Sequence, residues 1–200
     1  MSRRKLPIFT ERTIANTKAD QVDLTQEFTR KLGSVSCKEG CSNCCSHAVL
    51  VTIPEGILAY QTLAKKGLWT PSLRKRLEDH AERTWDLSPI VWHLSNIVCP
   101  LLEKDRCSIY EARPFACRVT FSKGDPFYCH PHQLNANAPM VPKREALEGF
   151  YAKQGRELRR HKLDVITLSL SKAILIGEKI SNGEEEIENL LRMLIQEMSK

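Results

Sequence analysis

No stretch of this 200-residue sequence reaches the roughly 18 consecutive apolar residues that a membrane-spanning helix needs. The basic start, Met1 to Arg12, lacks the apolar centre of a secretory signal. The expectation is therefore a protein of the reducing cytoplasm with no membrane partner. There is no G-x-G-x-x-G fingerprint for a nucleotide-like cofactor. Aromatic residues make up only 6% of the chain and are not interleaved with a basic patch, so nothing supports nucleic-acid binding. Cysteine is absent after Cys129.

What remains is the composition of a globular protein, with 42% hydrophobic and 27% charged residues. That apolar content excludes disorder as the main state. Thirty basic and 24 acidic side chains give a net charge of +6, spread along the chain as a mixed, solvated surface. The organisation expected is a polar arm over 1–20 and a single domain over 21–200. Within that domain a Cys-rich region spans 37–130 and a helical part spans 143–199.

The apolar spacing predicts a mainly α fold, a small helical domain with an irregular, metal-organised loop region. Val22, Leu24, Phe28 and Leu32 predict a short helix over 21–32, with Gly33 as its stop. The β-branched run His47–Ile53 predicts one short strand. Thr52-Ile53-Pro54-Glu55 has the capping-box form and starts a helix that ends at Gly67. Thr70-Pro71 starts another, with Leu73, Leu77 and Ala81 on one face. Glu55, Glu78, Asp79 and Glu82 are expected on helix surfaces. Residues 88–98 read equally as helix or loop. From Cys99 to Pro142 the reading is irregular backbone, with at most a helical turn at Tyr110–Arg113. Leu147, Phe150, Tyr151 and Leu158 then recur at helix spacing, Val165–Ile180 is strongly apolar, and Ile187, Leu190, Leu191, Leu194 and Met198 form a stripe. Such stripes ordinarily mean core packing.

The eight cysteines fall into two blocks: Cys37, Cys41, Cys44 and Cys45, then Cys99, Cys107, Cys117 and Cys129. Disulfides do not suit a reducing compartment, and so dense a cluster does not look like random core filling. Metal ligation explains it, because short loops between ligands cost little closure entropy. Eight sulfurs suit two four-ligand sites, or one site with spare thiols. His47, His93, His130 and His132 lie near enough in sequence to replace a sulfur. Thiolate ligands suit zinc, an iron–sulfur cluster or cuprous ion. Arg106, Arg113 and Arg118 flank Cys107 and Cys117 and can offset thiolate charge. A nucleophilic Cys44 or Cys45 served by His47 is the competing chemistry.

The spacing of Cys37, Cys41 and Cys44 is similar to the cluster motif of radical S-adenosylmethionine enzymes. Those need a larger β/α barrel, and no strand–helix alternation is visible here. A longer match lies in the second block. Cys99-Pro100-Leu101-Leu102, followed by Cys107-Ser108-Ile109-Tyr110-Glu111-Ala112-Arg113-Pro114-Phe115-Ala116-Cys117-Arg118, resembles the signature of the YkgJ-type cysteine-cluster family, which is described as chelating zinc or iron. The CxxCxxCC half of that signature is matched by Cys37, Cys41, Cys44 and Cys45, with a first spacing of three residues in place of two. Cys129 resembles the trailing cysteine. The resemblance implies a metal-binding protein with these eight cysteines as the ligand pool and zinc or iron, including an iron–sulfur cluster, as cofactor. Flagellin lysine N-methylases contain a similar cluster, so one alternative is an iron–sulfur-dependent protein-modifying methyltransferase. Another is an interaction module that zinc shapes for a protein partner. Pro100 and Pro114 would hold ligand loops open, Ile109 and Tyr110 would pack on the helices, and Arg113 and Arg118 would donate to carbonyls or thiolates. The sequence names no catalytic residue, substrate or oligomeric state.

Overall fold

Two short strands start the frame, and each runs straight into a helix. The computed structural model describes residues 8–129, 140–160 and 162–198. In it β1 (Leu50–Thr52) pairs antiparallel with β4 (Thr167–Ser169), placing Leu50 opposite Ser169 and Thr52 opposite Thr167. Strand β1 leads into α2 (Ile53–Lys65), and β4 into α7 (Leu170–Ser181). The Thr52–Glu55 capping box forms as expected, with Pro54 in the first turn. Gly67, at φ +69°, adopts the left-handed conformation that follows a helix end.

Helices α2 and α7 are the central pair. Their backbones meet so closely that a Cβ on Gly56 would lie 2.3 Å from the Ala173 carbonyl oxygen. A Cβ on Gly177 would lie 2.7 Å from the Gly56 carbonyl oxygen. Only hydrogen fits at these two positions. Helix α3 (Pro71–Arg83) packs on α7 through Leu73 and Leu77, and Thr70 caps it by accepting from Leu73 N at 3.1 Å. Leu158, Leu163, Ile166, Ile180, Ile187 and Leu191 pack with Ile53 and Ile57 in one core cluster. Helix α8 (Ile187–Met198) thus lays its apolar stripe on its own chain.

Helix α1 (Ile8–Arg30) begins inside the span expected to be an arm, well before residue 21. The reason is a buried stripe that hydropathy does not register: Thr10, Thr13, Ile14, Thr17 and Gln21 recur at helix spacing. Thr17 Oγ1 donates to Gln154 Oε1 at 2.5 Å, joining α1 to α6 (Arg144–Arg160). Residues 88–98 hold a short helix, α4 (Pro89–Leu94), capped by Ser88.

The Cys99–Pro142 region has more structure than one turn. A hairpin pairs β2 (Leu102–Glu103) with β3 (Arg106–Cys107), and α5 (Phe115–Arg118) follows the 3-10 turn Tyr110–Ala112. Another 3-10 turn covers Pro126–Cys129. Ile109 and Leu101 are buried in the same core cluster as Leu77 and Ile174, with Cys99 and Cys107 packed at its edge. The thiol loops are anchored to the helices by these aliphatic neighbours, each worth roughly 1.5–3 kcal/mol when fully buried.

Candidate metal centre

The first cysteine block is a chain of tight turns. Cys41 N donates to Lys38 O at 3.1 Å around Gly40, whose φ of +86° favours glycine. Asn43–Ser46 is a 3-10 turn that carries Cys44 and Cys45. The second block is bolted to it at several points. Cys99 N donates to Cys45 O at 2.8 Å. Ser42 Oγ donates to Asp105 Oδ1 at 2.9 Å, at the tip of the β2–β3 hairpin, where Lys104 and Asp105 both have positive φ. Asn43 Nδ2 donates to Pro126 O at 2.8 Å, which places the turn ending in Cys129.

Six thiols then share one space. Cys41, Cys44, Cys45, Cys99, Cys107 and Cys117 line a cavity of about 70 Å³, together with Tyr110, Arg113 and Leu170. Cys37 and Cys129 stand outside it, on either side of the buried Ser122. Ser122 N donates to Cys37 Sγ at 3.2 Å, and its hydroxyl bonds the Cys129 thiol. Cys129 Sγ lies 3.8 Å from Met140 Sδ. All eight cysteines are free.

Burial governs their ionisation. It pushes Cys99 up to about 12 and raises Cys117 as well, with neighbouring thiols adding to the effect. Cys37, Cys107 and Cys129 are raised for the same first reason. Backbone N–H groups oppose it at two of the thiols, Leu101 toward Cys99 and Ile109 toward Cys107. The adjacent pair splits: the Cys45 thiol donates to Cys44, which lowers Cys44 and raises Cys45. Arg113 and Lys143 add positive charge beside Cys44. Lys143 donates to Thr120 Oγ1 at 2.6 Å from the start of α6. Its distance in sequence from every cysteine gave no sign of this role.

The arginines divide as their geometry dictates. Arg113 lies over the Tyr110 ring, 3.7 Å from its centroid, and its Nε donates to Tyr110 O at 3.2 Å. Arg118 turns away from the cavity, with Nε donating to Arg113 O at 2.7 Å and Nη2 to Glu111 O. Arg106 is exposed on the hairpin. His47 Nε2 donates to Cys129 O at 3.2 Å and meets the His93 ring edge-on at 4.5 Å. Burial and His93 hold His47 down at about 4. Neither histidine lines the thiol cavity. His130 and His132 lie outside the described residues.

Glu55 corrects the sequence reading. It is 2% exposed and not on a helix surface. Its carboxylate accepts four bonds: Gln21 Nε2 at 2.9 Å, Thr52 N at 2.8 Å, Thr52 Oγ1 at 3.1 Å and Phe115 N at 2.7 Å. Burial raises its pKa, and the donors pull against that rise.

The donor set suits a soft cation. Thiols that burial keeps protonated gain a reason to ionise when a cation binds, and cysteine sulfur selects zinc, iron or cuprous ion over hard cations. Among the described residues no group of three or more His, Cys, Asp or Glu side chains is already set to hold a metal ion. Closing a site from these thiols would take side-chain rotation into the cavity they share.

No curated protein and no solved structure matches the chain. One family model does, over residues 36–139, a little more than half the sequence and the whole of both cysteine blocks. No helix among the described residues is long and apolar enough to cross a membrane. The chain thus belongs to the CxxCxxCC family, whose description is "putative zinc- or iron-chelating domain".

Proposed function

We propose that the protein is a soft-metal-binding protein in which zinc or iron fastens the two cysteine blocks to the helical frame. The observation that carries this reading is the convergence of six cysteines, from four separate segments of the chain, on one cavity of about 70 Å³. The eight thiols divide into two sets in this reading. Cys45, Cys99, Cys107 and Cys117 form the first, and Cys37, Cys41, Cys44 and Cys129 the second. The division follows the electrostatic neighbours. Cys129 feels Cys37, Cys41 and Cys44, and Cys117 feels Cys99 and Cys107 as well as Cys44, which neighbours both sets.

A bound metal supplies a multivalent crosslink and the positive charge that lets buried thiols ionise. The chain's own residues do the rest. Leu101 N and Ile109 N direct hydrogen-bond donors at Cys99 and Cys107. Arg113 and Lys143 offset the negative charge that thiolates would bring. Tyr110 and Leu170 add apolar surface to the cavity wall. The volume favours an ion or small cluster over an enzyme cofactor, since pockets for organic ligands run to roughly 300–1,000 Å³. A reducing compartment such as the cytoplasm keeps the thiols available.

Purification without oxygen, followed by visible spectroscopy and elemental analysis of the same sample, tests the reading. Two soft-metal ions or clusters per chain are expected. A brown protein with acid-labile sulfide assigns iron–sulfur chemistry, and a colourless one with stoichiometric zinc assigns a structural role. A protein grown with both metals in excess that carries neither refutes the proposal.

A further inference from the structure

Glu55 is the point where the helical frame grips a ligand loop. A carboxylate at 2% exposure is costly unless it is fully hydrogen-bonded, so its partners report what it is for. Two of its four bonds are local: Thr52 N and Thr52 Oγ1 close the cap of α2. That cap explains Oε2 alone. Oε1 accepts from two distant elements, Gln21 Nε2 of α1 at 2.9 Å and Phe115 N at 2.7 Å. Phe115 opens α5, the four-residue helix that carries Cys117. Its ring is fully buried and stacks on Phe150 of α6 at 4.6 Å between centroids. One carboxylate oxygen and one ring therefore fix both ends of Phe115, two residues before a cavity thiol. Pro114 O, the next acceptor along, takes bonds from Cys117 N at 3.0 Å and Arg118 N at 3.1 Å, so the turn moves as a unit.

We propose that Glu55 is a positioning residue for Cys117: it anchors the Phe115–Arg118 turn to α1 and α2 so that the thiol is presented to the cavity before any metal arrives. This rests on the metal-binding reading only for the purpose of the positioning; the positioning itself is a property of the metal-free chain. Charge-assisted acceptors are about twice as strong as neutral ones, and a side-chain amide can offer only one oxygen to the four donors. Glu55→Gln thus weakens the anchor with little change in shape, and Glu55→Met removes it.

The test is the alkylation rate of each cysteine in full-length, chelator-treated protein, read by peptide mass spectrometry. In Glu55→Gln, and more strongly in Glu55→Met, Cys117 should react at least about tenfold faster than in the parent. Cys41 and Cys129, held by other contacts, should stay within about twofold. Gln21→Met, which leaves the Phe115 bond in place, should leave Cys117 within about threefold. If Glu55→Met does not fold, Glu55→Gln decides. An unchanged Cys117 rate in a folded Glu55→Gln variant overturns the proposal, and so does an equal acceleration of all eight thiols, which means general loosening. A zinc titration of the same proteins separates the two ideas. Outer contacts to ligands commonly govern affinity by 10–100-fold, so Glu55→Gln should weaken zinc by about that factor. A parent protein that takes up no zinc or iron sinks the metal reading, while the alkylation pattern still decides the positioning.

Discussion

The Cys99 amide is bonded to the Cys45 carbonyl at 2.8 Å, so the last thiol of the first block and the first thiol of the second are held together by backbone alone. The two blocks meet without needing a metal to find each other. The remaining thiols arrive on separate segments, where the binding energy of a metal would be folding energy. Chelation should therefore loosen 37–129 while α2 and α7 stay protected. Limited proteolysis with and without chelator checks this. New cleavage is expected near Gly40 and the Lys104–Asp105 hairpin tip, and identical digestion patterns would argue against it.

Replacing single cysteines should sort them into sets. Cys117→Ser is expected to lose the metal of the first set, and Cys129→Ser that of the second, each halving the metal content per chain. Affinity at the affected site should fall by at least about tenfold. If both replacements remove all metal, the eight thiols hold one shared centre. Elemental analysis of the purified variants is the measurement.

His80 carries a pH signature remote from the thiols. It is buried on α3, its Nδ1 lies 3.0 Å from Ser171 Oγ, and Trp92 packs on its ring. Burial first, then Arg83, hold its pKa down to about 4, against 6.5 when unfolded. The unfolded chain therefore binds more protons between those values, and stability falls as pH drops from about 6.5 toward 4. At 1.36 kcal/mol per unit the loss is at most about 3 kcal/mol. The difference in unfolding free energy between metal-free parent and His80→Asn, followed across that window, should shrink with acidity. A difference that stays constant with pH would mean that the ring is protonated while folded.

The α2–α7 crossing tolerates no added methyl. Gly177→Ala sets a Cβ against the Gly56 carbonyl, and overpacking of this kind costs about 1–3 kcal/mol. Gly149→Ala is the control, because nothing lies within 4 Å of that position on α6. It should gain about 0.5–1 kcal/mol from helix propensity. Denaturant unfolding of the two variants is expected to give opposite signs.

Much of the frame was legible in the residues. The Thr52–Glu55 box, Thr70-Pro71, Gly67 and the stripe through Ile187 and Leu191 all form the elements they predict, because capping and periodicity act locally. The start of α1 was hidden, since its buried face is threonine and glutamine satisfied by Gln154 and Glu55, partners that lie far along the chain. The identity of the cysteines as one constellation was readable from their spacing and from the motif around Cys107–Cys117. The cavity's charge balance was not, because Lys143 joins it only through the fold. Glu55 was misread for the opposite reason: its capping role was so well marked that a second role through Phe115 had no trace in the sequence.

The pairing of Thr52 with Thr167 has a topological consequence. Strands so distant in sequence make this a long-range closure, in which chain entropy is lost before the contacts form. The first cysteine block lies just before β1, and the second lies between β1 and β4. The β1–β4 pairing therefore closes the loop that carries the second block, and the two strands that start the central helices also gather the ends of the thiol-bearing segment.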